Sequence, residues 1–356
     1  MKSSNPGNAG RGLRQEVPSN GLYVRERFRL STPLTSCSVL KERYIIQRII
    51  GRGGMGSIFL AEDNRLQGRL CAVKQVKPEA TLSEDLRKQS HDQFYREASV
   101  LARLDHPNLP KVSDFFSDGP CDYLVMDYIP GEDLKKLLDH ARQKGELLPQ
   151  NDVLNWADQL LSAIEYLHRQ DPPVIHRDIK PSNLKLTPSG VLKLVDFGLV
   201  KQMVPDEMTV TVIQGRGTAL YTPLEQYGGD TGHTDARTDI YSLGATLYHL
   251  LTNQPPLEAK QRFLVPDSFM SPRQHNPTLS ACVDQALMSA LSLHPDERPQ
   301  DVAAFRAILF GNGVRQPSPH PEPRDLLQML FSDTADQVLA GLSVILFMTA
   351  ILSTLF

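Results

Sequence analysis

The chain has 356 residues, a formal net charge of −3 and four cysteines. Apolar residues make up 40% and charged residues 22% of it, which are ordinary values for a soluble globular protein. This composition excludes wholesale disorder, a polytopic membrane protein and a strongly basic nucleic-acid binder. Because no two cysteines form a C-x-x-C pair, the sequence predicts no zinc site and no disulfide framework, and we expect a reducing compartment.

The first 40 residues predict a flexible, mildly basic tail. They are rich in Gly, Ser, Asn and Pro, and they contain six basic and two acidic side chains. No apolar core follows Met1, so we expect no signal peptide. The basic excess is compatible with an anionic lipid surface, but a plain solvated tail is the favoured interpretation.

Residues 41–310 show the patterns of a globular domain. The first part, 41–128, alternates short apolar runs with turns and is interrupted by one predicted helix, from about residue 83 to residue 104. The strand-like runs are Tyr44–Ile50, Ser57–Ala61, Leu70–Val76 and Tyr123–Tyr128. From residue 131 onward the pattern is mostly helical, with an apolar stripe through Leu154, Ala157, Leu160, Leu161, Ile164 and Leu167. We therefore predict an α+β fold with a small β-rich N-lobe, a large α-rich C-lobe and a cleft between them.

The end of the chain differs from the rest. Residues 311–336 predict a proline-rich, extended linker. The 19 residues 338–356 carry no charge, and as a helix they would reach about 28 Å, close to the hydrocarbon thickness of a bilayer. A helix buried against the domain is the alternative, but such helices are usually shorter or have a polar face. We predict a transmembrane helix over 338–356.

A glycine-rich loop follows the first predicted strand. Its pattern, G-x-G-x-x-G-x-aliphatic, is formed by Gly51, Gly53, Gly54, Gly56 and Ile58. Glycines let the backbone approach phosphate groups and direct N–H groups at them. A dinucleotide-binding loop has the same glycine spacing but leads from a strand into a helix. Here a second strand follows, so the dinucleotide interpretation is rejected.

The decisive motifs lie in the second half. Residues 174–183 read VIHRDIKPSN, and residues 195–198 read VDFG. Their order and spacing match the H-R-D-L-x-x-x-N and D-F-G signatures. On these motifs the chain resembles the eukaryotic-type serine/threonine protein kinases, in the form common in bacteria. The resemblance covers about residues 44–310 and implies the two-lobed protein-kinase-like fold.

The resemblance implies a role for each residue of these motifs. Phosphoryl transfer depends on positioning and charge neutralisation. Asp178 would accept the proton of the substrate hydroxyl, and Lys180 would neutralise the γ-phosphate of ATP. Asn183 and Asp196 would bind Mg²⁺, with Mn²⁺ as an alternative, because these ions prefer oxygen ligands.

The N-lobe would hold the nucleotide. Lys74 would bind the α and β phosphates, and Glu97 would fix this lysine in an ion pair. By the same resemblance, the remaining ATP-binding residues are Ile58 and Ala72 in the upper wall, Met126 as gatekeeper, Asp127 and Ile129 at the hinge, and Asp133 at the ribose. The floor departs from the family pattern, since Lys185 replaces an apolar residue. Its methylene stem would cover the ring while its ammonium reaches water.

The segment from Asp196 to Glu225 resembles an activation segment. Its end reads Pro223-Leu224-Glu225 where the family has Ala-Pro-Glu, a second departure. Arg177 would pair with a phosphate on this segment, and the candidate phosphosites are Thr209 and Thr211. The resemblance also predicts two structural features, a buried Glu225–Arg298 pair and Asp239 as a support under the catalytic loop.

The favoured hypothesis is a membrane-anchored serine/threonine protein kinase that autophosphorylates. The alternatives are a nucleotide-binding pseudokinase scaffold and a small-molecule kinase. The pseudokinase fits less well because Lys74, Asp178, Asn183 and Asp196 are all present. The small-molecule kinase fits less well because such enzymes usually lack both a lysine of the Lys180 type and a long activation segment ending in Pro-x-Glu. We expect protein substrates and the membrane as partners, no nucleic acid, and leave a homodimer open. The expected location is the cell membrane, single-pass, with the kinase domain in the cytoplasm. The chain would be tail-anchored or a truncated receptor.

Overall fold

The computed structural model describes residues 37–53, 56–77, 83–196, 216–227, 234–265 and 268–311. Its N-lobe is an antiparallel sheet of six strands in the order β1-β2-β3-β4-β6-β5. The strands are β1 Val39–Leu40, β2 Tyr44–Gly53, β3 Gly56–Asp63, β4 Leu70–Val76, β5 Val112–Asp118 and β6 Cys121–Asp127. The four predicted strands all form, and β4 has the predicted bounds.

Both faces of this sheet are apolar, because its side chains alternate between two cores. One face belongs to a small core that includes Cys71, Val73, Tyr123 and Val125. The other face belongs to the main core, which includes Ala72, Val76, Leu124 and Met126. The continuous apolar runs of β4 and β6 therefore reflect burial on both sides of the sheet.

Helix α1, Glu84–Leu101, packs against the main-core face of the sheet. The Ser83 side chain caps it by accepting a hydrogen bond from the Leu86 N–H, and Glu84 and Asp85 lie in its first turn. A polar cap and acidic residues at this end satisfy the free N–H groups and the helix dipole. Phe94, Ala98 and Leu101 form its buried stripe. The helix was predicted over 83–104.

The C-lobe is helical around α3 and α5. The helices after α1 are α2 Leu134–Lys144, α3 Gln150–His168, α4 Arg216–Ala219, α5 Ala236–Thr252, α6 Ala259–Leu264, α7 Pro272–His275, α8 Ala281–Ala290 and α9 Val302–Phe310. The predicted apolar stripe of α3 is buried. Helix α5 is buried from Thr238 to Thr252 and forms the centre of the lobe. The predicted two-lobed α+β fold is confirmed.

A second, small sheet lies in the C-lobe. It has the order β7-β8-β9, with β7 Glu132–Asp133, β8 Leu184–Leu186 and β9 Leu192–Leu194. These strands have two or three residues each, too few for a periodic pattern, and the sequence did not predict them. Their importance is positional, since β8 directly follows the segment that carries Asp178 and Asn183.

Several predictions fall outside the described residues. These concern most of the basic tail, Gly54, the candidate phosphosites Thr209 and Thr211, most of the linker and the span 338–356. Within the described ranges, none of the helices has the length and apolar character that crossing a bilayer requires.

Candidate active site

The residues of the catalytic motif converge on Asp178. Lys180 Nζ lies 3.0 and 2.9 Å from the two carboxylate oxygens of Asp178 and donates to Thr218 Oγ1 at 3.2 Å. The Asn183 amide donates to the Asp178 backbone carbonyl at 2.8 Å and to its Oδ2 at 3.0 Å. The structure thus brings together a carboxylate that can accept a proton, a cation beside it and a hydroxyl from the predicted activation segment.

Asp239 supports this loop from below. Its fully buried carboxylate accepts hydrogen bonds from the backbone N–H groups of His176 and Arg177, both at 2.8 Å. Nε2 of the His168 ring lies 2.9 Å from the same carboxylate. Burial by itself raises the pKa of Asp239, but the hydrogen bond and charge of His168 outweigh it and hold the pKa below its usual range. The predicted scaffold role agrees with this geometry.

Two site residues have left-handed backbones. Arg177 has φ 63° and Asp196 has φ 66°, a region that non-glycine residues seldom adopt. Such conformations persist only where the surroundings fix them. At Arg177 the backbone N–H donates a hydrogen bond to the Asp239 carboxylate, which holds this conformation. The loop is therefore held in one shape immediately before Asp178.

The predicted upper wall forms on one face of the N-lobe sheet. Directly opposed residues of antiparallel strands place their side chains on the same face. Ile58 opposes Lys74, and Ala72 opposes Met126. Because Ala72 and Lys74 are two residues apart on β4, all four side chains share this face. Met126 is buried beside Ala72, as the gatekeeper assignment requires.

The predicted ion pair between Lys74 and Glu97 does not form. Lys74 Nζ instead pairs with Asp196 Oδ1, and no Lys74–Glu97 pair occurs among the ion pairs of the described residues. Glu97 accepts a hydrogen bond from Gln93, one turn earlier on α1, at 2.7 Å. Burial raises the pKa of Glu97, and the Gln93 bond and the charge of Arg177 oppose this shift.

The predicted metal ligands are oxygen donors that flank the small C-lobe sheet, Asn183 before β8 and Asp196 after β9, and the Val195 N–H donates to the Asn183 carbonyl at 2.8 Å. Asn183 is buried next to Asp178, and Asp196 lies against Lys74. Among the described residues, no three or more His, Cys, Asp or Glu side chains are grouped so that they could hold a metal ion. Mg²⁺ needs no such cluster, because it usually binds one or two protein ligands, several waters and substrate phosphates. The residues present therefore fit a magnesium–nucleotide complex.

The predicted hinge residues lie at the end of β6, whose last residue is Asp127, and just after it. The N–H of Asp127 donates to the Lys111 carbonyl at 3.0 Å, so its carbonyl is the backbone group that it can offer to a base. Ile129 is buried. Asp133 caps α2 by accepting the Lys136 N–H at 3.0 Å. A ribose contact would use its second oxygen.

The structure places the Lys185 ammonium near the residue that follows β6. Its Nζ lies 5.6 Å from the centre of the Tyr128 ring, within cation–π distance. The side chain is half-buried, and burial lowers the pKa of Lys185. Contact of the ammonium with water stays a prediction.

Gly51 and Gly56 of the glycine-rich loop differ in why glycine is needed. A Cβ at Gly56 would lie 1.8 Å from the Gln75 carbonyl oxygen, so the sheet itself requires glycine there. At Gly51 the nearest atoms belong to Ile58 at 3.5 Å, an ordinary contact. Packing would accept a side chain at Gly51, and the close approach of a phosphate remains the predicted reason for glycine at that position.

The predicted Glu225–Arg298 pair forms and is buried. The two guanidinium nitrogens of Arg298 contact the two Glu225 oxygens at 2.6 and 3.1 Å. Thr238 donates to Glu225 at 3.2 Å. Paired, hydrogen-bonded charges of this kind fix local geometry, here between the end of the activation segment and the helical core.

Sequence reasoning missed two residues of the site. His168, the last residue of α3, contacts Asp239, and Thr234 accepts a hydrogen bond from Arg177 Nη2 at 2.8 Å. No local pattern marks either residue, because both act across long separations in sequence. The structure also places the predicted phosphate-binding Arg177 in a half-buried position, where burial lowers its pKa.

Comparison with protein families gives one match for this architecture. A model described as protein kinase domain matches residues 44–306. A probable serine/threonine-protein kinase of Streptomyces coelicolor is 36% identical over 274 residues, 74% of this chain and 39% of the relative. The serine/threonine-protein kinase PknB of Mycobacterium leprae is 33% identical over 298 residues, 81% of this chain and 46% of the relative. The chain thus spans less than half the length of these curated relatives.

Solved structures agree in fold. The apo form of PpkA-294 has a TM-score of 0.64 and 28% identity, covering 78% of this chain and 100% of that one. A mutant of the PknI kinase domain of Mycobacterium tuberculosis has a TM-score of 0.61 and 27% identity, covering 78% of this chain and 98% of that one. The chain belongs to the protein kinase domain family and, within it, to the eukaryotic-type serine/threonine kinases of bacteria.

Proposed function

We propose that the chain is a membrane-anchored serine/threonine protein kinase that transfers the ATP γ-phosphate to protein hydroxyls. The observation that carries this proposal is the Asp178 cluster, in which Lys180 and Asn183 hold the carboxylate on a buried scaffold. A carboxylate held in this way can accept the proton of an incoming hydroxyl. Lys180 also contacts Thr218, so it lies between the acceptor site and the predicted activation segment.

The nucleotide would bind between the lobes. The base would lie against Ala72 and Met126, and Lys74 would contact its phosphates. Asn183 and Asp196 would hold Mg²⁺, which neutralises phosphate charge when bound. For Lys74 to reach phosphate it must share or leave Asp196, and movement of α1 toward the sheet would let Glu97 take that place.

The test compares the parent chain with Asp178→Asn, using ATP, magnesium and a generic basic protein. We expect loss of transfer by at least about 100-fold, the usual contribution of a general base, with nucleotide binding retained. Phosphopeptide mapping of the same two proteins reports on autophosphorylation. Phosphate on Thr209 or Thr211 in the parent alone would support that part of the proposal, and its absence from both would refute it.

A pseudokinase scaffold is the second candidate, and the Lys74–Asp196 pair is the observation compatible with it. A protein of that kind would bind ATP but transfer no phosphate, with or without Asp178. The same assay therefore separates the two candidates.

Membrane anchoring rests on the uncharged segment 338–356 and the linker before it. A kinase domain needs cytosolic ATP, which would place it in the cytoplasm, on the inner side of the cell membrane. We expect the full chain to sediment with membranes and a chain lacking residues 332–356 to stay in solution. Sedimentation of the shortened chain would refute the anchor.

A further inference from the structure

Helix α5 is buried along nearly its whole length, yet one face of it is polar. The polar side chains of this face are separated by three, four and three residues, which places them on one side of a helix. They are Asp239, Ser242, Thr246 and His249, and each is at most 5% exposed. We call these four residues the polar stripe. Buried polar groups are costly unless they are hydrogen-bonded, so the partners of the stripe show what it holds.

Two members of the polar stripe hold the catalytic loop. Asp239 accepts the backbone N–H groups of the two residues that precede Asp178. The Thr246 hydroxyl lies 3.3 Å from the carbonyl oxygen of Ile179, the residue that follows Asp178. Thr252, at the end of the same helix, instead bonds the carbonyl four residues earlier, at 2.7 Å. The polar stripe thus contacts the backbone on both sides of Asp178.

The other two members hold Tyr221, which is buried. The Ser242 hydroxyl lies 2.9 Å from the Tyr221 carbonyl and 3.2 Å from the Thr238 carbonyl in its own helix. His249 Nδ1 lies 2.6 Å from the Tyr221 hydroxyl, and the two rings stack. Burial lowers the pKa of His249 to about 4, so near pH 7 its ring is neutral and can share a hydrogen bond with the hydroxyl. Helix α5 therefore binds Tyr221 at its backbone and at the tip of its side chain.

Tyr221 in turn closes the turn that carries Thr218. The Tyr221 N–H and the hydroxyl of the next residue both donate to the Thr218 carbonyl, at 3.0 and 2.9 Å. The Thr218 hydroxyl accepts a hydrogen bond from Lys180, whose ammonium also contacts both oxygens of Asp178. A continuous path of short contacts therefore leads from His249 to the carboxylate of Asp178.

We propose that the polar stripe fixes the catalytic loop and the turn 218–222 relative to each other, and that Tyr221 and His249 are positioning residues for phosphoryl transfer. One buried helix then sets the distance between the proton acceptor Asp178 and the hydroxyl that meets Lys180. Both positioning residues act through the Thr218 turn. This proposal rests on the protein kinase function proposed above.

The test uses the full-length chain with ATP, magnesium and a generic basic protein, and it measures kcat, the KM for ATP and urea denaturation. Tyr221→Phe removes the hydroxyl and keeps the ring. A misplacement of about 1 Å can cost about 100-fold in rate, and we expect loss of this one bond to lower kcat about tenfold. The KM for ATP should not change, because the upper wall and Lys74 belong to the N-lobe.

The matched control is Tyr248→Phe. Tyr248 lies next to His249 on α5, is 2% exposed, and donates its hydroxyl to the Met270 carbonyl at 3.0 Å. The same substitution on the same helix again removes one buried hydrogen bond, but that bond does not lead to the catalytic loop. Tyr248→Phe should lower stability about as much as Tyr221→Phe and leave kcat unchanged. This contrast separates a positioning role from a general loss of stability.

Variants of His249 test whether the two residues act as a pair. His249→Leu should lower kcat as much as Tyr221→Phe. The double variant should lose no more than either single variant, because each substitution removes the same bond. His249→Gln keeps a side chain that can hydrogen-bond to the hydroxyl, and it should retain most of the parent kcat.

The positioning role would be overturned, with the kinase function intact, by the parent kcat in both Tyr221→Phe and His249→Leu. Equal losses of kcat in Tyr221→Phe and Tyr248→Phe would also overturn it, since they would assign the effect to stability. Additive losses in the double variant would show that the two side chains act separately and would refute the pair. Absence of transfer by the parent chain would refute the kinase function, and the positioning role with it.

Discussion

The two halves of the candidate site differ in how completely they are assembled. On the C-lobe side, Asp178, Lys180 and Asn183 are joined by hydrogen bonds and rest on buried Asp239. On the N-lobe side, the expected partner of the lysine is displaced, and Lys74 pairs with Asp196. The C-lobe half is thus joined as its motif predicts, whereas the N-lobe half departs from the predicted pairing.

The difference has a structural cause. The catalytic loop is tied to helix α5 through backbone N–H groups that end on a buried carboxylate, and such bonds are costly to break. Glu97 belongs to a helix that meets the sheet along one apolar stripe, and its carboxylate finds a partner within the same helix. The C-lobe half of the site is fixed by its hydrogen bonds to the buried core, and we call it the fixed half. The N-lobe half depends on how helix α1 packs against the sheet.

Within the fixed half, the substitution Asp239→Asn should have the largest effect on stability and on activity. Loss of a buried, hydrogen-bonded charge should lower the free energy of unfolding by about 3–5 kcal/mol, and displacement of the loop should lower kcat at least about 100-fold. Urea denaturation and steady-state kinetics measure the two effects. Asp105→Asn, at an exposed residue paired with Lys111, is the control and should change neither. Full activity in Asp239→Asn would contradict the scaffold role.

The stability of the C-lobe, which contains the fixed half, should also depend on pH through His249 on α5. Burial lowers the pKa of His249 to about 4, and its ring contacts the Tyr221 hydroxyl at 2.6 Å. The unfolded chain takes up a proton near its ordinary pKa of about 6.5, while the folded chain does not. Stability is therefore complete above that pH and falls as the pH drops toward 4, by about 3 kcal/mol in all.

Urea denaturation near pH 7 and near pH 5 measures this slope. His249→Gln should flatten it, and His294→Gln, at an exposed side chain, should leave it unchanged. An unchanged slope in His249→Gln would show that other groups dominate the acid response.

Glu97→Gln should have the smallest effect on stability and separates the two halves of the site. Because burial already opposes the charge of Glu97 and glutamine keeps the shape of the side chain, we expect the unfolding free energy to change by about 1 kcal/mol or less. If the catalytic state needs the Lys74–Glu97 pair, activity should still fall about tenfold or more. Asp92→Asn, exposed on the same helix, is the control. If Glu97→Gln lowered stability as much as activity, both expressed as free energies, the contrast between the two halves of the site would be contradicted.

The sequence predicted those parts of the molecule that depend on short segments. Strand β4 and the buried stripe of α3 follow from local apolar patterns, and Asp178, Lys180 and Asn183 lie within six residues of one another. Because of this short spacing, contacts among these three side chains are expected. Strands of two or three residues, such as β7 and β8, carry too little pattern to predict.

By itself the sequence determined the order of the lobes and the catalytic loop, because local patterns and fixed spacing control them. Only the tertiary structure decided which carboxylate meets Lys74 and that His168 supports Asp239. Each of these depends on how elements distant in sequence pack together. Packing of that kind is set by the whole core and leaves no local pattern at the residues concerned.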